Sequence, residues 1–118
     1  MQVVVATTDY FLGRKLAKLV REAGFTLVRS IKMDRLVKEL KHVERIVIID
    51  MAWEEIQVHG ELRRLVNLAR ISDNKVICIC PNRDEDLKQL ARNARPSATV
   101  LRYDLELSFR KYLAGLKT

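Results

Sequence analysis

Asp50 is the residue of this sequence best placed to do chemistry. It ends Ile46-Val47-Ile48-Ile49, a run of β-branched residues. A carboxylate there sits at the rim of an apolar core, where an unpaired charge is expensive and must find a partner. Asp9 is the second carboxylate of interest. It follows Thr7 and Thr8 directly behind another apolar run, Val3-Val4-Val5-Ala6. Arg102 follows a third run, Ala98 to Leu101, and is the natural counter-charge for Asp50. The competing reading is that Asp50 only caps the loop after it. Cys78 and Cys80 are two apart on one run and share a strand face. They form no CxxC motif, and with no further cysteine they read as core residues rather than zinc ligands. His42 and His59 lack a matching ligand set and read as surface residues. No glycine-rich phosphate loop follows Ala6, and no nucleophile–histidine–carboxylate set is present.

The elements that must position these residues alternate regularly. Leu12, Leu16, Leu19, Val20 and Ala23 make one apolar helical stripe, which Gly24 stops. Thr26 to Arg29 reads as a short strand. Met33, Leu36, Val37 and Leu40 predict a second helix, and Arg45 to Asp50 a third strand. Met51 to His59 reads as irregular, with Trp53, Glu54, Glu55 and Ile56 overhanging the end of that strand; Trp53 reads as packing more than as a binding anchor. A third helix follows Gly60 with Leu62, Leu65, Val66 and Ala69. Lys75 to Cys80 is the fourth strand. Asn82 and Glu85 resemble a capping box opening a helix with Leu87, Leu90, Ala91 and Ala94, which Pro96 ends. Ala98 to Leu101 is the fifth strand. Asp104 is placed to cap a last helix with Leu105, Phe109, Tyr112, Leu113 and Leu116.

Five strand–helix pairs in strict alternation imply a parallel sheet with right-handed crossovers. The first, third and fourth strands are apolar throughout, as expected when helices cover both faces. The expected fold is therefore α/β: a doubly wound (βα)5 three-layer sandwich, flavodoxin-like, with a parallel five-stranded sheet in the order 2-1-3-4-5. Residues 1–118 form a single domain. In such a sheet ligands bind beyond the carboxyl ends of the strands. That places Thr7, Thr8, Asp9, Asp50, Cys80, Pro81 and Arg102 around one pocket.

Composition narrows the function classes. The chain has 118 residues, 48% hydrophobic and 31% charged, with a net charge of +7. These values fit an ordered globular domain and exclude low-complexity chains. No apolar run is long enough for a membrane span and no signal peptide opens the chain, so a cytoplasmic location is expected. Residues 10–41 hold nine Lys/Arg against three acids, and residues 87–118 seven against two. Solvated helix faces account for this better than a nucleic-acid surface, because aromatics make up only 6% and no stacking platform is visible.

The whole chain resembles a response-regulator receiver domain, the phosphorylatable module of bacterial two-component signalling. Ile46-Val47-Ile48-Ile49-Asp50-Met51 resembles the family's third strand ending in its phosphoacceptor aspartate. Val76-Ile77-Cys78-Ile79-Cys80 resembles the strand that ends in a hydroxyl residue, and Leu101-Arg102-Tyr103 falls where the family has lysine and proline. The intervals, 30 residues from Asp50 to Cys80 and 22 from Cys80 to Arg102, agree with the family's. The departures are chemical. Thr7 and Thr8 stand where the family has a pair of acidic residues for Mg²⁺, leaving Asp9 as the only carboxylate nearby. Cys80 replaces the hydroxyl, Arg102 the lysine, Tyr103 the proline, and Thr99 an aromatic. The loop after Asp50 is longer and lacks the family's Met-Pro.

The resemblance thus implies an atypical receiver, not an enzyme, whose phosphotransfer site is largely lost. Asp50 is the phosphoacceptor equivalent, and no catalytic residue, metal site or cofactor is assigned. Mg²⁺ would have only Asp9 and Asp50 to bind. Two readings remain open: a working receiver phosphorylated on Asp50, and a basic nucleic-acid-binding domain. The resemblance also implies an output and homodimer face on the fourth helix, fifth strand and fifth helix, exposing Arg92, Arg95, Tyr103, Arg110 and Lys111. Its partner would be a protein or an attached effector domain, such as a transcription regulator, rather than nucleic acid or membrane.

Overall fold

The computed structural model describes the backbone of residues 2–117 and the side chains of residues 2–113. The strands are β1 (Gln2–Ala6), β2 (Thr26–Ser30), β3 (Ile46–Asp50), β4 (Lys75–Cys80) and β5 (Ala98–Leu101). The helices are α1 (Tyr10–Glu22), α2 (Met33–Leu40), α3 (Glu61–Ile71), α4 (Glu85–Ala94) and α5 (Leu105–Lys117). All strands are parallel in one sheet, ordered β2-β1-β3-β4-β5. This is the doubly wound architecture that strict alternation predicts. No described helix is long and apolar enough to cross a membrane.

The strands sort their side chains between two cores by simple alternation. Val4, Ala6, Val47, Ile49, Val76, Cys78 and Cys80 pack with α2, α3 and α4. Val3, Val5, Ile46, Ile48, Ile77 and Ile79 pack with α1 and α5. That two-sided burial is why the three central strands are apolar except for Gln2, Asp50 and Lys75 at their ends, while the edge strands β2 and β5 are mixed. The stripes of α1, α3 and α5 are buried as their spacing requires, although Leu116 lies outside the described side chains.

Gly24 ends α1 as the sequence suggests. Its φ is 84°, its N–H donates to Arg21 O, and the Phe25 N–H donates to Val20 O. This pair of bonds is a Schellman closure, which needs a left-handed residue at that point.

Three local expectations are corrected. Asn82 does not cap α4. Asp84 does, with its side chain accepting from the Leu87 N–H at 3.0 Å, while Asn82 Oδ1 accepts from the Tyr103 N–H at 2.8 Å. Asp104 keeps its expected place immediately before α5, as the last residue of a 3-10 turn, Arg102–Asp104. The segment after β3 contains another 3-10 turn, Glu54–Gln57. Trp53 does not overhang the end of β3. It is 5% exposed and belongs to the core that α2, α3 and α4 cover, together with Ile56.

Candidate functional site

The carboxyl ends of β1 and β3 lie side by side, with Ala6 in register with Ile49. The next residues, Thr7 and Asp50, are both buried. By alternation both follow the α1/α5 side of the sheet, where Val5 and Ile48 lie. The Thr7 hydroxyl donates to Asp50 Oδ2 at 2.7 Å. The same hydroxyl accepts from the Asp9 N–H at 3.1 Å. Asp50 Oδ1 accepts from the Ala52 N–H at 3.0 Å, so the loop after β3 folds back over its own carboxylate. Asp50 is only 3% exposed, and its two oxygens have one donor each.

Asp9 serves α1. Its Oδ1 caps the helix, accepting from the Phe11 N–H at 3.0 Å and the Leu12 N–H at 3.1 Å. Its Oδ2 accepts from Arg102 Nη2 at 2.6 Å. The Arg102 hydrogen bond, with the capping amides, holds the Asp9 carboxyl below its ordinary value of 3.8. Arg102 was expected to pair with Asp50, and it pairs with Asp9 instead. The reason is solvation. Arg102 and Asp9 keep 39% and 33% of their side chains exposed, whereas a guanidinium drawn to buried Asp50 would lose its water.

The remaining expected site residues separate. Thr8 is exposed and Cys80 is wholly buried in the α2–α4 core. Burial pushes the Cys80 thiol up, and pushes that of Cys78 up to about 12. Both are therefore protonated at neutral pH, which suits packing and not nucleophilic work. Pro81 is half-buried. His42 and His59 are exposed. The pocket thus reduces to Thr7, Asp9, Asp50 and Arg102, joined in one chain of hydrogen bonds.

The expected interaction residues Arg92, Arg95, Tyr103, Arg110 and Lys111 are all exposed. Arg92 and Arg95 line a groove against α3, and Arg110 Nη2 reaches Glu22 Oε2 on α1 at 3.2 Å.

Sequence reading missed two features. Thr7 was placed in the pocket without its role as donor to Asp50. Asn74 was not singled out, yet its buried amide donates to Leu40 O and His42 O and accepts from the Arg45 N–H. It pins the end of α2 to the start of β4, and its one signal is a polar residue just before an apolar strand.

Comparison with solved structures places the fold. A response regulator receiver protein from Burkholderia phymatum superposes with a TM-score of 0.75 at 21% identity, covering 98% of this chain and 93% of the other. A response regulator from Colwellia psychrerythraea gives 0.72 at 16% identity, covering 98% and 94%. A putative pilus assembly-related protein from Burkholderia pseudomallei gives 0.70 at 17% identity, covering 97% and 90%. No protein-family model matches the sequence, and no curated protein matches it. The fold is that of response-regulator receiver domains.

Proposed function

We propose that this chain is an atypical receiver-type signalling domain that works by protein–protein contact and has lost phosphotransfer. The observation behind this reading is that all four oxygens of Asp9 and Asp50 are already engaged by protein donors. Phosphoryl transfer to a carboxylate brings anionic oxygens against an anion, and a divalent cation must neutralise the charge. Mg²⁺ takes oxygen ligands and is usually held by one or two carboxylates together with waters and phosphate oxygens. Here the Asp9 carboxylate is held by a cation and by the end of a helix, and the Asp50 carboxylate by Thr7 and Ala52. Thr7 and Thr8 add no negative charge. The residues present do not fit Mg²⁺.

In this reading Asp50 is a structural acceptor, the domain catalyses nothing, and its output is a surface. The partner is another protein or an attached effector domain, and the region of α4, β5 and α5 is available for self-association.

Incubation with acetyl phosphate and Mg²⁺, followed by intact-mass spectrometry, tests the reading. The expected result is unmodified protein. A stoichiometric phosphoryl adduct that disappears in Asp50→Ala would overturn it and establish a working receiver.

A further inference from the structure

Arg63, Asn67 and Arg70 stand at i, i+4 and i+7 along α3, so they form one stripe. Facing them is the end of α4, with Arg92, Asn93 and Arg95. Together these residues line a groove of about 440 Å³ that contains four arginines and no carboxylate. Two of the arginines are anchored on backbone: Arg63 Nη2 donates to Asn93 O at 3.2 Å, and Arg70 Nη2 donates to Arg95 O. Among the described residues Arg92 has one partner, Gln89 Oε1 at 3.4 Å.

Cations at helix ends often do no more than complement the helix dipole. That account covers Arg70, Arg92 and Arg95. It does not cover Arg63, which lies in the first turn of α3, where the dipole disfavours a cation. Nor does it cover the backbone of Arg95. This residue closes α4 in the left-handed region, with φ 55° and ψ 55°, where glycine avoids the strain that any Cβ adds.

We propose that the α3/α4 groove, with Arg63, Arg70, Arg92 and Arg95 converging on it, binds an acidic segment of a partner protein. Guanidinium forks pair with carboxylates through two parallel hydrogen bonds, and anchored forks lose less freedom on pairing. Neighbouring helices pack about 8–10 Å apart, so the groove between them accepts one extended chain rather than a duplex. No aromatic lines it, so the bases of a single strand would find nothing to stack on. An acidic peptide is the polyanion that remains. The groove gives a partner chemistry to the protein-contact reading and rests on that reading. Phosphorylation is read at Asp50 and peptide binding at the groove, so either can fail alone.

Fluorescence anisotropy with a labelled short Glu-rich peptide tests this, with the matching Gln-rich peptide, a thymidine oligonucleotide and a DNA duplex as comparisons. The acidic peptide should bind best. Arg92→Gln with Arg95→Gln should weaken it about tenfold or more, as expected for losing charge-assisted bonds. Arg14→Gln with Arg21→Gln, on α1, should leave it unchanged. Equal weakening by both pairs, tighter binding of either nucleic acid, or no peptide binding would overturn the proposal. Amide chemical shifts of the unaltered protein give a variant-free check. Changes confined to residues 61–71 and 85–95 support the groove, and changes centred elsewhere overturn it.

Discussion

Thr7 illustrates how one hydroxyl can settle the state of a buried acid. It accepts from the Asp9 N–H and donates to Asp50 Oδ2, so it links the start of α1 to the end of β3. Thr7→Val keeps the shape and removes the donor. Asp50 would then hold a buried oxygen without its partner, which costs about 1–3 kcal/mol. Urea unfolding should show that loss, and Thr7→Ser should recover most of it. An unchanged midpoint in Thr7→Val would mean that the bond contributes nothing. At this scale the sequence located Asp50, because a carboxylate ending a β-branched run has few places to go. It did not reveal the partner. Thr7 and the Ala52 amide take one oxygen of Asp50 each, while Arg102 stays with Asp9, where it keeps its water.

At the scale of elements, periodicity was enough to place every helix and strand, because each buries a stripe or a face against the sheet. The caps were harder to read. Asn82, with Glu85 three residues on, has the spacing of a capping box, and that spacing points to the wrong residue. The geometry decides for Asp84. Asp84→Ala should therefore lower stability by about 1 kcal/mol. Asn82→Ala should mainly release its bond to the Tyr103 N–H. Thermal unfolding of the two variants checks this, and a larger loss from Asn82→Ala would contradict the assignment. Trp53 was harder still. It is buried in the core shared with α2, α3 and α4, and no repeat in the sequence announces this.

For the molecule as a whole, stability should fall at both ends of the pH range. Asp9 titrates below its unfolded value of 3.8, so the stability it contributes is complete above that value. It is lost as pH falls through the lowered folded value. Cys78 is raised from 9.0 to about 12, so its contribution is complete below 9.0 and is lost as pH climbs toward 12. Urea melts across pH should show both limbs. Asp9→Asn should flatten the acid limb and Cys78→Ala the alkaline one; limbs unmoved by these changes would assign them to other groups.

The bond between Arg102 and Asp9 spans 93 positions of the chain. Contacts so distant in sequence slow folding, because the loop must close before they form. During synthesis Asp9 therefore emerges from the ribosome long before the arginine that will hold it. A chain halted after β4 has no Arg102 to hold Asp9, so the pocket can be completed only once β5 and the turn after it are made.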